Sequence, residues 1–303
     1  MQSTPVFVYI FLYFVITLAT CCREITFDHV KVTVKGAKDI KNITGCFQPS
    51  DHLLKVSYIQ IINEQVPVLK KDAIHGLPNL MDIILEDNNM TDIEPGAFYN
   101  LTHLYLFKMR YNYIKTIRDG VFNGLPLKEL CLTNNSIEII HPNAFDNMPN
   151  LTILFLNENK ITTLSNEWFK NTPKVVSLNL EKNYITTIPF RVFQNIRGEH
   201  LVSDVHIRTN IMLNDNVIRK IEDGAFNCLE TLGWLFLHRN EIEDISAESL
   251  GSLKVIEWVR LDHNRLRCVP DRLVQISPKI VYYLHSNPLT DMCINKYNIT
   301  KVR

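Results

Sequence analysis

Cysteine, histidine, asparagine and tryptophan carry most of what this chain can do chemically. Its 303 residues hold 7 Cys, 10 His and 3 Trp. Catalysis needs a constellation, and the motifs supply none. There is no G-x-S-x-G, no H-E-x-x-H and no phosphate-cradling glycine loop, and Gly totals only 10. The His fall at unrelated phases, so an enzyme is not expected. Glu199, His200, Asp204 and His206 cluster in the stretch RGEHLVSDVHIRTN (197–210). Their spacing fits no metal geometry, and they read as solvated loop residues. No metal and no cofactor are expected. Formal net charge is zero, so bulk charge draws the protein toward neither nucleic acid nor acidic membrane.

Disulfide and glycan chemistry depend on compartment. Val6–Leu18 reads VFVYIFLYFVITL, an apolar run too short for a membrane span of about 20 residues. Small residues Thr17, Ala19 and Thr20 accompany its end, so residues 1–19 read as a secretory signal, although a basic flank is missing. No later apolar run has spanning length, and the end, KYNITKVR, is polar. The mature protein is therefore expected to be secreted, with no membrane span or lipid anchor. Oxidising surroundings then favour disulfides. Cys22 (or Cys21) and Cys46 flank the segment before the first repeat, and Cys268 and Cys293 lie near the last. Bridges there would close the two ends. Cys131 and Cys228 sit three repeats apart and are not expected to pair, with Cys228 read as a buried free thiol. A leftover thiol could link two chains, but a monomer is expected. Six glycosylation sequons begin at Asn42, Asn89, Asn100, Asn134, Asn150 and Asn298.

The elements that position these residues follow from a near-perfect 24-residue period. Aligned on L-x-x-L-x-L-x-x-N-x-I-x-x-I, copies begin at Leu80, Leu104, Leu127, Leu151, Val175, Arg208, Leu232 and Ile256. Each carries an Asn at one phase, from Asn88 through Asn112, Asn135, Asn159, Asn183, Asn216 and Asn240 to Asn264, with Asn287 in a degenerate last copy. This is the signature of a leucine-rich repeat solenoid. In L-x-x-L-x-L the apolar residues point inward and the x residues outward, so stacked copies build a parallel sheet. The Asn amide can satisfy backbone groups of neighbouring turns. A second inward column holds Phe98, Phe122, Phe145, Phe169, Phe193 and Phe226, then Leu250, a spine behind the sheet. Trp168 interrupts the small residues that precede this column. The copy at Val175 is nine residues long over the norm, and the excess at 197–210 marks a loop of the kind that often binds.

The expected organisation is a signal at 1–19, an N-terminal cap at 20–52, leucine-rich repeats at 53–279, and a final degenerate repeat with C-terminal cap at 280–303. The cap stretch ITFDHVKVTV alternates like a strand edging the first, worn repeat, Ser57–Asn79.

The same register names an outward face. One column holds Asp82, Leu106, Glu129, Ile153, Ser177, Asn210, Trp234 and Trp258. The next holds Ile84, Lys108, Cys131, Phe155, Asn179, Met212, Phe236 and Arg260. All are expected to be exposed, yet several are large and apolar. Trp234, Trp258, Phe236 and Met212 form one apolar patch; Ile153 and Phe155, with Leu106 and Cys131, form another. Clustered exposed aromatics mark interaction sites. Asp215, His238, Arg239, Asp262 and His263 rim the first patch. A glycan on Asn134 would crowd the second and leave the first open.

These repeats resemble the extracellular leucine-rich repeat family over about residues 46–293. The N-x-I-x-x-I form with A-F is similar to the subtype of Toll-like receptor ectodomains and of short secreted insect proteins, loosely the leucine-rich immune molecules. Asn287-Pro288-Leu289-Thr290-Asp291-Met292-Cys293 resembles the family's C-terminal flanking motif, which opens N-P-x-x-C. Those immune molecules often end in a coiled coil, whereas here ten residues follow Cys293 without heptads. The resemblance implies an α/β solenoid: an arc with a parallel concave β-sheet, a mostly irregular or 3-10 convex side, and disulfide-supported caps. It implies binding rather than catalysis, of a protein or a microbial or lipid-like ligand on the concave face, in innate immunity. A matrix or neuronal adhesion protein and a soluble inhibitor or decoy are the alternative roles.

Overall fold

The computed structural model describes residues 24–36, 41–50, 52–197, 199–202 and 205–299. The expected signal at 1–19, and Cys21 and Cys22, lie outside them. The outward-inward alternation becomes a sheet of ten strands. These are β1 (Thr33–Lys35), β2 (Tyr58–Ile62), β3 (Asp82–Glu86), β4 (Leu106–Lys108), β5 (Glu129–Cys131), β6 (Ile153–Phe155), β7 (Ser177–Asn179), β8 (Asn210–Met212), β9 (Thr231–Phe236) and β10 (Val255–Arg260). They lie side by side in chain order. From β2 onward all pairs are parallel; β1, in the cap stretch expected to edge the first repeat, pairs antiparallel to β2. In β4, Phe107 is buried while Leu106 and Lys108 are half-buried on the open face, and β6 and β7 repeat that pattern.

The Asn column holds the turns together. The Asn112 amide donates to the Leu85 carbonyl of the turn before it at 2.9 Å. Its Oδ1 accepts the backbone N–H groups of Asn88 and Met90 at 3.0 and 3.1 Å. Asn135, Asn159, Asn183, Asn216, Asn240, Asn264 and Asn287 repeat the donation to the preceding turn. A buried strand end thus keeps its backbone groups paired where the chain leaves the sheet. The worn first repeat lacks this Asn, but its Glu64 N–H donates to Asn88 Oδ1 at 3.0 Å just as the Asn88 N–H does to Asn112.

The phenylalanine spine is present. Phe98 stacks on Phe122, Phe145 on Phe169 and Phe193 on Phe226, with centroids 5.7–6.2 Å apart. Trp168 is buried and meets Phe145 and Phe169 edge-on, which accounts for its place beside the column. The side opposite the sheet is made of turns and two-residue parallel pairs, such as Thr116–Ile117 with Ile139–Ile140. Among the described residues α-helix occurs only near the C-terminal end, as α1 (Asp271–Ile276) and α2 (Asp291–Tyr297). No helix among them is long and apolar enough to cross a membrane.

Both ends carry disulfide-bonded cysteines. At the first, Phe27–Lys31 pairs antiparallel with Asn42–Gly45, and Cys46 is disulfide-bonded; Cys22, its expected partner, lies outside the described residues. At the other end Cys268 and Cys293 form a disulfide that ties α2 to the last turns. The Tyr297 hydroxyl donates to the Val269 carbonyl at 3.1 Å across the same junction. The long copy does not leave a structureless loop. Glu199–Val202 and Val205–Arg208 pair as an antiparallel hairpin immediately before β8.

Candidate ligand-binding face

Strand pairing confirms the two outward columns. Leu106 pairs with Asp82 and Glu129, Glu129 with Ile153, and Ile153 with Ser177. Trp234 pairs with Trp258, Met212 with Phe236, and Phe236 with Arg260. Period-2 geometry puts all of them on the open face.

At the C-terminal end this face is an aromatic platform. Trp234 and Trp258 are 44% and 39% exposed. Trp234 stacks on Phe236 of its own strand, centroids 5.6 Å apart and rings 10° from parallel. Trp258 meets Tyr283 edge-on at 6.0 Å, and Lys279 Nζ lies 4.9 Å over its ring. Phe236 and Met212 are half-buried beneath these edges. Sequence reasoning missed Tyr283 and Lys279. Tyr283 follows from the register, since it stands where Arg260 and Phe236 stand one and two turns earlier; Lys279 comes from the 3-10 turn Pro278–Tyr283, which no period locates.

The hairpin walls one edge of the platform. Its second strand runs beside β9, and the Arg208 guanidinium reaches past β9 to pair with Glu257 on β10. Asn210 Oδ1 accepts the backbone N–H of Trp234 at 2.8 Å. Gly233 makes room for this crossing. A Cβ there would sit 2.4 Å from Asn210 Oδ1 and 3.4 Å from Arg208 Cβ.

The opposite edge carries a polar column, two residues before each ladder Asn. Arg110 clamps Glu86 with two bonds, at 2.8 and 3.2 Å, and the Thr133 hydroxyl donates to Asn157 at 2.8 Å. Farther on come His238, Asp262 and His285. The expectation that the His fall at unrelated phases therefore fails here: His238 and His285 share one phase with Asp262, and counting back from Asn240, Asn264 and Asn287 would have revealed it. Asp262 is 1% exposed and accepts from Arg260 Nε and Nη2 at 3.0 and 2.9 Å and from His263 Nδ1 at 3.1 Å. Burial alone would push its carboxyl up, but the hydrogen bonds from Arg260 and His263 outweigh that and hold it below its ordinary value. Burial, seconded by the Arg260 charge, lowers His238, so this rim residue is buried and held toward its neutral form.

The second patch is less open. Leu106, Ile153 and Phe155 are half-buried, and the expected exposed Cys131 is buried at 5%. It is short, sits between Lys108 and Phe155 on the flanking strands, and turns its Sγ to Thr133 Oγ1 at 3.3 Å. Longer neighbours about 4.8 Å away cover it. Cys228 departs in the other direction. Expected to be buried, it is exposed. It takes φ +79° in the turn position that Asn100, Gly124, Asn147 and Asn171 fill in other copies, with the core left to Phe226 and Leu229. Among the sequons, Asn42, Asn100, Asn150 and Asn298 are exposed and Asn89 and Asn134 half-buried. Asn134 donates to Glu158 at 3.1 Å, at the edge of the second patch.

Known proteins share this architecture. Residues 67–200 match a BspA type leucine-rich repeat region in 6 copies, and 209–266 match a leucine-rich repeat model. Bovine keratocan is 25% identical over 221 residues, 71% of this chain and 59% of keratocan. Rat lumican is 23% identical over 283 residues, 91% of this chain and 76% of lumican. This chain thus spans less than two thirds of keratocan's length. Among solved structures, a chain of the Toll–Spätzle complex, a hub in Drosophila development and innate immunity, superposes with a TM-score of 0.57 at 20% identity. That superposition covers 80% of this chain and 36% of the other.

Proposed function

Because the chain belongs to the leucine-rich repeat family, we propose that it is a secreted extracellular binding protein. It takes a protein partner, or a microbial or lipid-like ligand, on the open face of its sheet. The observation that carries this reading is the Trp234–Trp258 pair. Two large apolar side chains stand opposite one another on adjacent strands, both well over a third exposed, where core packing has no use for them. Partly exposed tryptophans on a rigid support are the type of residue that dominates binding energy. Phe236 and Met212 extend the platform, while Arg208, Glu257, Lys279 and Arg260 supply a charged border. Ile153 and Phe155 give a secondary contact area.

Recognition in innate immunity is one use of such a face. A second reading, a matrix or adhesion protein, is supported by the sequence relationships to keratocan and lumican. Exposed Asn42, Asn100, Asn150 and Asn298 serve as the accessible glycan acceptors in either case.

Affinity capture with the secreted, glycosylated protein tests the reading. Wild-type protein is expected to retain a partner from body fluid that Trp234→Ala/Trp258→Ala protein does not. Equal retention by the folded double variant rules the platform out. Capture from extracellular matrix extract but not from body fluid selects the second reading.

A further inference from the structure

The last two turns bring three ligand-capable side chains to one point on the polar edge of the sheet. Asp262 and His285 occupy the same phase of successive turns, and His263 follows Asp262. Asp262 Oδ2 lies 3.1 Å from His263 Nδ1 and 3.8 Å from His285 Nε2. One ligand-capable atom from each of the three residues lies within 4.8 Å of the other two. Zinc bound tetrahedrally at about 2.0–2.1 Å to nitrogen and about 2.0–2.2 Å to oxygen sets neighbouring donor atoms roughly 3.3 Å apart. The two carboxylate–imidazole separations bracket that figure, so modest imidazole rotations would complete the geometry.

The surroundings suit an ion. The Asp262 side chain is 1% exposed, whereas His263 and His285 are 48% and 35% exposed. The carboxylate is thus a fixed base, and the imidazoles form an open, adjustable top. Arg260 holds both carboxylate oxygens from one side. Outer hydrogen bonds of this kind commonly orient ligating carboxylates. The guanidinium charge also weakens attraction for a cation, which argues against hard, charge-driven Ca²⁺ or Mg²⁺ binding. Two imidazoles and one carboxylate suit a borderline ion instead.

We propose that Asp262, His263 and His285 form a binding site for a divalent transition ion of the zinc class, with three protein ligands and one open position. His263 would coordinate through Nδ1 and His285 through Nε2, each imidazole carrying its proton on the other nitrogen. Arg260 is both the clamp on Asp262 and the next outward residue after Trp258, so the open coordination position lies at the end of the aromatic platform. The ion would also join the last two turns directly. Neither point depends on the partner reading above, because the ion is measured without any partner.

The test uses untagged, chelator-stripped full-length protein, with ZnCl₂ titrated by calorimetry and Co²⁺ by absorption spectroscopy. The expected result is one strong site per chain, tetrahedral cobalt bands, and at least a tenfold loss of zinc affinity in both His263→Ala and His285→Ala. His263 is exposed and His285 half-buried, and neither belongs to the core, so both variants are expected to keep the wild-type melting temperature in chelator, and the melting temperature of the wild type alone rises with zinc. Asp262→Gln serves as a third variant, with its fold checked by circular dichroism. Absence of zinc binding by the wild type overturns the proposal. So does unchanged affinity in either histidine variant, since another of the histidines would then hold the ion.

Discussion

Removing the two platform tryptophans puts the proposed binding mode at risk most directly. A tryptophan side chain presents about 250 Å² when fully accessible, so exposures of 44% and 39% leave about 110 and about 100 Å² on Trp234 and Trp258. If a partner covers that area, about 25 cal/mol per Å² gives roughly 5 kcal/mol for the pair. Tenfold in affinity corresponds to about 1.4 kcal/mol, so each single alanine variant is expected to weaken binding by about 60- to 90-fold and the double variant by three to four decades. Trp258 also covers Tyr283 and bears Lys279, and its removal frees both, so its single effect is the harder to assign. Surface plasmon resonance against the captured partner supplies the measurement. Tyr184→Ala, a more exposed aromatic (56%) in the turn after ladder residue Asn183, serves as a control with unchanged affinity. Circular dichroism and melting temperature should match the wild type, because neither tryptophan belongs to the buried core. A folded double variant that binds within threefold of wild type would refute the reasoning.

Three further outcomes follow from the geometry. Asn183→Ala strands the buried Ile161 N–H and leaves the Leu156 carbonyl to the Asn159 amide alone; at about 1–3 kcal/mol for the stranded group it should cost roughly 1–3 kcal/mol in urea unfolding, and a loss below about 0.5 kcal/mol would argue against the ladder's role. Alkylation of the folded protein followed by peptide mapping should label Cys228 and spare Cys131 until denaturant is added, and any reducible dimer should run through Cys228. His75 stacks on Tyr99, and burial lowers its pKa from 6.5. The unfolded chain therefore takes up the proton more readily, so stability falls as pH drops below 6.5 toward the folded-state value; His75→Phe keeps a stacked ring and should flatten that slope in pH-dependent melting.

The period in the sequence determined the fold and the identity of the outward face without help from coordinates. A 24-residue repeat with an obligate Asn has one stacking solution, because the apolar residues must share a core and each Asn must serve the turn before it. That is why Trp234, Trp258, Phe236 and Met212 could be placed on the open side from spacing alone, and why Cys268 and Cys293 could be paired at the closed end. What periodicity leaves open is everything set by lateral neighbours. Cys131 lies in an outward column yet is buried, because Lys108 and Phe155 on the adjacent strands are long enough to cover it. Cys228 lies beside core residues yet is exposed, because its backbone turns through a left-handed conformation. The insertion at 197–210 reads as a loop, but its two halves pair into a hairpin whose Arg208 crosses over Gly233 to Glu257. Asp262 and His263 come from one copy and His285 from the next, and they meet only because successive turns stack a few ångströms apart. Column membership is a one-dimensional property that a sequence records, whereas exposure and convergence depend on the sizes and directions of side chains from adjoining turns, and only the stacked structure brings those together.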